Sequence, residues 1–195
     1  MEAFLVSAGV VALAEIGDKT QLIALVLAAR FKRPIPVIAG IVAATVVNHT
    51  IAGIVGAWLA SVLGPAALRW ILGLSFVAIA VWLLIPDKVD SADVARARYG
   101  IFVTTLVTFF LAEMGDKTQI ATVALAARFQ DLYAVIAGTT LGMLIADVPA
   151  VLFGERVARR IHPRVVHAVA ALIYVTIGAF VLAGGGIDVF ARALR

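Results

Sequence analysis

The sequence contains no cysteine among its 195 residues, which excludes disulfides, thiolate metal ligands and thiol catalysis. Charged residues are also scarce, at 14%, and no stretch long enough for a soluble domain remains outside the apolar segments. By contrast, 63% of the residues are hydrophobic, whereas a soluble domain has roughly 45–50% apolar residues. The chain is therefore expected to lie in lipid. Its formal charge of +4 comes from basic residues in short loops, so no nucleic-acid partner is expected.

Six apolar segments account for most of the chain. They cover residues 4–29, 36–61, 66–86, 101–127, 132–154 and 165–185. Each approaches or exceeds the roughly 20 residues that an α-helix needs to cross a bilayer. No basic stretch precedes the first segment, so we expect it to remain as a membrane helix rather than to be cleaved as a signal peptide. The sequence predicts an all-α integral membrane protein with six transmembrane helices.

The chain also contains an internal repeat. Residues 13–21 read LAEIGDKTQ and residues 111–119 read LAEMGDKTQ, an offset of 98 positions (111 minus 13). The same offset relates the AARF stretch at 28–31 to the one at 126–129, without a gap. Two halves of related sequence are therefore expected to form two related structural units.

Each unit holds three predicted helices, so the second must enter the membrane from the side opposite to the first. We predict two inverted-topology repeats, at residues 1–86 and 99–195, joined by a cytoplasmic linker at 87–98. Lysine and arginine are concentrated in the first, third and fifth loops, which the positive-inside rule places in the cytoplasm. Both termini should then face outward.

Four acidic residues lie inside the repeated stretches: Glu15, Asp18, Glu113 and Asp116. On a continuous helix, positions i and i+3 share a face, so crossing of the two helices would bring four carboxylates together near the bilayer midplane. Closely spaced carboxylates cannot all stay ionised in a low dielectric, so they must bind a cation or take up protons. Metal binding that releases protons is the physical basis of cation/proton exchange.

Each acidic pair is accompanied by a lysine and a glycine. Lys19 and Lys117 lie four residues after Glu15 and Glu113, so we expect each lysine to pair with its own glutamate when no metal is bound. Gly17 and Gly115 lie between the acids, where they permit either a local unwinding of the helix or a close helix crossing.

Other polar residues in the apolar segments are candidates for a supporting role. The set consists of Thr20, Thr118, Gln21, Gln119, Asn48, His49 and Asp147. The threonines can satisfy backbone or carboxylate groups, and the glutamines can act as neutral oxygen donors. Asp147 is predicted as a ligand or proton carrier, with a polar contact between helices as the alternative. His49 is either a nitrogen ligand, a proton relay or a packing residue. Met143 either supplies a soft sulfur or fills a gap in the core.

The motif Glu-x-Gly-Asp-(Lys/Arg)-(Thr/Ser), present twice in a small six-helix protein, resembles the Gdt-type cation/proton exchangers of the lysine-exporter superfamily. These include bacterial manganese exporters and Golgi calcium/manganese exchangers. The resemblance covers the whole chain, and both copies, at 15–20 and 113–118, match in full. It implies a secondary transporter, with no catalysed covalent reaction and no cofactor, that exports Mn²⁺ from the cytoplasm. It also implies a location in the bacterial cytoplasmic membrane and cation ligation by Glu15, Asp18, Glu113 and Asp116.

Several alternatives stay open at this point. A Ca²⁺/H⁺ antiporter would use the same mechanism, because oxygen-rich sites suit Ca²⁺ and Mn²⁺ alike. An intramembrane lipid-phosphate enzyme would need additional cationic groups near the midplane to hold phosphate, and an organic-solute exporter would need a roomy cavity. The duplicated motif could also be a pair of structural ion pairs that fix helix packing. Monomer and homodimer are both compatible with six helices surrounded by lipid.

Overall fold

The computed structural model describes residues 1–85, 100–153 and 163–183, and within these ranges every regular element is helical. The predicted linker at 87–98 and the end of the chain lie outside the described residues. In chain order the helices are α1 (Glu2–Glu15), α2 (Lys19–Phe31), α3 (Pro34–Val62), α4 (Pro65–Leu83), α5 (Ile101–Glu113), α6 (Lys117–Phe129), α7 (Leu132–Phe153) and α8 (Pro163–Leu182). The all-helical architecture is thereby confirmed for this part of the chain.

Four of these helices are long and apolar enough to cross a membrane: α3, α4, α7 and α8 from Val165 onward. Helix α5 is apolar but shorter. Proline at the first turn of α3 and of α4 begins these helices, because its fixed φ suits that position and its missing N–H has no helical partner there. The protein is an integral membrane protein.

The first and fourth predicted segments are each broken into two helices, so the prediction of one continuous helix through each motif was wrong. Gly17 has φ +89° and Gly115 has φ +79°, a region that L-residues with a side chain rarely adopt. The following residues, Asp18 and Asp116, are extended and stand at the N-caps of α2 and α6. Of the two alternatives expected at these glycines, local unwinding is the one observed, and it removes the i to i+3 relation between the two acids of each motif.

The helices of the two halves pack in matching pairs. Helix α1 packs on α7 as α5 packs on α3, and α2 packs on α7 as α6 packs on α3. Glycines permit close approaches between these helices: a Cβ on Gly40 of α3 would lie 2.9 Å from the Phe102 carbonyl oxygen, and one on Gly138 of α7 would lie 2.4 Å from that of Phe4. These are the same contact, shifted by 98 residues. Each half thus inserts its long helix against the broken helix of the other half.

Two apolar clusters surround the motifs, and they differ in composition. One is built from α1, α4, α6 and α8 together with Val135 of α7, and it includes the buried Phe76 and Tyr174. The other joins α2, α3, α5 and α7, and it includes Ile23 and Phe109. Helices α4 and α8 cross each other closely at Gly73 and Gly178, and together they cover α6 and α1. Within the described ranges, α4 and α8 make no comparable contact with α2 or α5, so this helix pair covers one side of the structure and not the other.

We predict that Gly138→Ala destabilises the fold, because the new Cβ would meet backbone atoms of α1 that cannot move aside. Overpacking of this kind costs about 1–3 kcal/mol. The measurement is unfolding of the purified protein in detergent. Gly9→Ala is the matched control: it also lies in a helix, but nothing stands within 4 Å of its added Cβ, so its stability should be unchanged or raised by up to about 1 kcal/mol. Equal effects of the two substitutions would contradict the close α1–α7 contact.

Candidate cation site

Three buried carboxylates converge at the two helix breaks. Glu15 ends α1, Glu113 ends α5, and Asp116 stands at the start of α6. One carboxylate oxygen from each of the three lies within 4.8 Å of the others, and none of the three side chains is more than 2% exposed. Oxygens that share one divalent cation at about 2.0–2.6 Å are separated by no more than about 5 Å. The cluster therefore has the dimensions of a cation site.

Both glutamates are oriented by a threonine from the helix that follows the break. The Thr20 hydroxyl donates to Glu15 Oε2 at 2.6 Å, and the Thr118 hydroxyl donates to Glu113 Oε2 at 3.1 Å. The other oxygen of each glutamate, Oε1, is buried and has no hydrogen-bond partner among the described residues. Each glutamate thus has one oxygen held in place and one available for a cation or a proton.

The lysines form ion pairs that cross between the two halves. Lys117 pairs with Asp18, and the Lys19 Nζ atom lies 3.5 Å from Asp116 Oδ1. The prediction that each lysine pairs with the glutamate four residues earlier was wrong. The helix ends between those residues, so the i to i+4 geometry does not exist. The side chains of Lys117 and Asp18 are almost fully buried, whereas that of Lys19 is 26% exposed.

The glutamines brace the helix breaks. The Gly17 N–H donates to Gln21 Oε1 at 3.0 Å, and the Gly115 N–H donates to Gln119 Oε1 at 2.7 Å. Unwinding leaves such backbone groups without a helical partner, so these side chains replace the lost hydrogen bonds. The glutamine oxygens, predicted as donors to the cation, have backbone N–H groups as partners in this structure.

At each break, one amide side chain forms a hydrogen bond between the broken helix and a long helix of the other half. The Gln21 amide donates to the carbonyl oxygen of Ala146 in α7 at 2.9 Å. The Asn48 amide of α3 donates to the carbonyl oxygen of Phe110 at 3.2 Å, near the end of α5. That carbonyl is free because the N–H of Met114 turns to Leu111 instead. Both breaks are thus held from outside their own helix.

Asp147 and His49 occupy equivalent positions in the two repeats and are both fully buried. Neither carboxylate oxygen of Asp147 and neither ring nitrogen of His49 has a hydrogen-bond partner in the described part of the chain. Asp147 lies within electrostatic range of Glu15 and Glu113, as expected for a residue beside the carboxylate cluster. Met143, one turn before Asp147 on the same helix, is also fully buried.

Tyr174 is a neighbour of the site that sequence reasoning missed. Its side chain is fully buried, and its hydroxyl donates to the carbonyl oxygen of Val10 in α1 at 3.3 Å. The ring contacts Phe76 of α4 with 5.9 Å between centroids. The sequence did offer one indication of this role: Tyr174 places a polar hydroxyl in the middle of the last apolar segment. Tyr174 anchors the α4–α8 pair to the helix that carries Glu15.

Comparison with known proteins agrees with this geometry. The family model described as "Divalent cation/proton antiporter GDT1" matches residues 3–91 and 101–188, which is most of the chain. The chain belongs to the GDT1 family. This membership confirms the family resemblance of the duplicated motif, and it makes the protein a divalent cation/proton antiporter by family and a transporter rather than an enzyme.

Relatives within the GDT1 family include bacterial and eukaryotic proteins. The chain is 47% identical over 175 residues to the "Putative manganese exporter" of Vibrio cholerae, covering 89% of this chain and 87% of the relative. It is 31% identical over 204 residues to a GDT1-like protein of Synechocystis, covering 89% and 93%. Identity to the "Divalent cation/proton antiporter GDT1" of Saccharomyces cerevisiae is 24% over 228 residues, covering 89% and 81%. No solved structure matches the chain.

Proposed function

We propose that this protein exports Mn²⁺ from the cytoplasm in exchange for protons. We further propose that the ion binds between Glu15, Glu113 and Asp116, near the bilayer midplane. The observation that carries the proposal is the convergence of three buried carboxylate oxygens within 4.8 Å. Acidic side chains inside a membrane are costly and generally mark an ion or proton path.

The same cluster accounts for the coupling to protons. Three carboxylates this close together cannot all remain ionised in a low dielectric unless a cation balances them. When the ion leaves, protons replace it on the unpartnered oxygens, such as Oε1 of Glu15 and Glu113. When an ion arrives, those protons must leave. Exchange follows because the site holds either a cation or protons.

The proposed topology has six crossings. Helices α1 and α2 form one discontinuous crossing, as do α5 and α6, and the four long helices form the others. The matching α1–α7 and α5–α3 contacts support two inverted repeats. In transporters of this architecture, broken helices place ion sites at the repeat interface. The distribution of basic residues supports a cytoplasmic position for the odd loops, with both termini outward in a bacterial cytoplasmic membrane.

The two crossed ion pairs supply a candidate gate on each side of the site. Lys117–Asp18 is almost completely buried, whereas Lys19 of the equivalent pair is 26% exposed. Residues equivalent in sequence would have equal exposure if the two halves were arranged identically. We propose that the structure corresponds to one end state of alternating access, with the Lys117 side closed. The opposite end state would bury Lys19 and expose Lys117.

We favour Mn²⁺ as the transported ion, because the Vibrio cholerae relative that is 47% identical is described as a "Putative manganese exporter". Ca²⁺ is the second candidate, since the ligand atoms of the cluster are all carboxylate oxygens, which suit a hard cation. By this proposal the ion is a substrate, and Asp18 contributes as the counter-charge of Lys117.

We predict that Glu15→Gln and Glu113→Gln each reduce exchange at least about tenfold, because each removes one charged ligand from the cluster. The measurement uses purified protein in liposomes that contain a pH-sensitive dye, with Mn²⁺, Ca²⁺ and Mg²⁺ added separately. Glu2→Gln is the matched control, since Glu2 is an exposed carboxylate at the start of α1. Proton flux that survives in both site variants would refute the site, and the relative rates with the three ions would decide the cargo.

The absence of native cysteine permits a direct test of the gates. We predict that Lys19→Cys reacts with a cationic thiosulfonate reagent at least about tenfold faster than Lys117→Cys, because only the first position is partly exposed. The reagent adds an ammonium group through a mixed disulfide, so it restores the positive charge that the substitution removed. Conditions that favour the other end state should reverse this order. Equal reaction rates under every condition of ion and pH would contradict alternating gates.

A further inference from the structure

His49 stands out because it breaks the chemical symmetry of the two repeats. It occupies the position of Asp147 in the other half, 98 residues away (147 minus 49), and both side chains are 0% exposed. One half therefore places a carboxylate at this position and the other places an imidazole. The duplicated motif itself, at 13–21 and 111–119, is alike in the two halves apart from Ile16 and Met114.

His49 lies on α3, the helix that packs against both α5 and α6, which flank the second helix break. Its neighbour Asn48 donates to the carbonyl oxygen of Phe110, three residues before Glu113. On the other side, Gln21 donates to the carbonyl oxygen of Ala146, the neighbour of Asp147. Both positions are thus adjacent to a hydrogen bond that joins a long helix to a broken helix of the opposite half.

A purely structural role does not account for the ring. Buried polar side-chain atoms in proteins almost always have a hydrogen-bond partner, and leaving one unpaired costs about 1–3 kcal/mol. Yet neither His49 Nδ1 nor Nε2 has a partner among the described residues. The same face of α3 carries two further unpartnered buried oxygens, Thr45 Oγ1 and Asn48 Oδ1. These four buried polar atoms have no partner in the described part of the chain, which favours a partner that arrives with transport.

We propose that His49 is a specificity-determining residue that supplies a nitrogen ligand to the transported ion. The inference rests on the proposed cation transport. Carboxylate oxygens hold Ca²⁺, Mg²⁺ and Mn²⁺, but a neutral imidazole is a ligand for transition metals and a poor one for Ca²⁺ and Mg²⁺. The three carboxylates of the cluster offer oxygen alone, and a nitrogen from His49 would add the preference for a transition metal.

The direct test is pulsed EPR of Mn²⁺ bound to the purified protein, because nitrogen coordinated to Mn²⁺ modulates the signal. We expect nitrogen coupling in the wild type, and a change in its isotope pattern when the protein is made with ¹⁵N-histidine. The coupling should persist when the other two histidines are replaced, in His162→Gln/His167→Gln, and should disappear in His49→Gln. Bound Mn²⁺ without nitrogen coupling in the wild type would overturn the inference without any variant having to fold.

Transport provides the second measurement. His49→Asp makes the two repeats alike and keeps a metal ligand at the position. We expect it to retain exchange but to lower the preference for Mn²⁺ over Ca²⁺, as the ratio of kcat/KM values, by about tenfold. An unchanged ratio would overturn the inference. If the wild type exchanges no divalent cation for protons, the proposed function fails. If it exchanges Mn²⁺ but shows no nitrogen coupling, only the role of His49 fails.

Discussion

The buried ion pair between Lys117 and Asp18 is the interaction on which the rest of the structure depends. A charge removed from water is costly unless an opposite charge stands beside it, and these two charges come from opposite halves of the chain. Neither half of the chain can therefore neutralise its own buried charges without the other half. Once this pair and its counterpart Lys19–Asp116 form, the two helix breaks lie face to face, and Glu15 and Glu113 are buried together.

The helix breaks at Gly17 and Gly115 arrange the acidic residues of the two motifs into one site. A continuous helix would direct the acids of one motif along a single face, whereas positive φ at Gly17 and Gly115 separates each glutamate from the following aspartate. Asp18 and Asp116 then stand at helix N-termini, where the helix dipole stabilises negative charge. The glutamates, at helix C-termini, lack that stabilisation and have only one threonine donor each. Their negative charges are therefore the ones that a bound cation or proton would stabilise most.

Much of this arrangement could be predicted from the sequence. Hydropathy located the apolar segments, the offset of 98 residues located the repeat, and unwinding at the motif glycines was one of two alternatives that the sequence left open. The partners of Lys19 and Lys117 could not be predicted, because pairing across halves depends on how the broken helices face each other. Tyr174 was missed for a similar reason: only the tertiary structure shows that its hydroxyl reaches Val10 of α1. The spacing of residues in the sequence predicts neighbours within one helix, whereas the residues of this site come from α1, α2, α5 and α6.

The most direct test of the account is to locate the ion. A structure of the purified protein with Mn²⁺, with anomalous scattering measured at the manganese edge, would identify the metal independently of transport. The account predicts one anomalous peak in direct contact with carboxylate oxygens of Glu15, Glu113 and Asp116, and its loss in Glu113→Gln. A peak away from the two helix breaks, or no peak at a Mn²⁺ concentration that supports exchange, would contradict it.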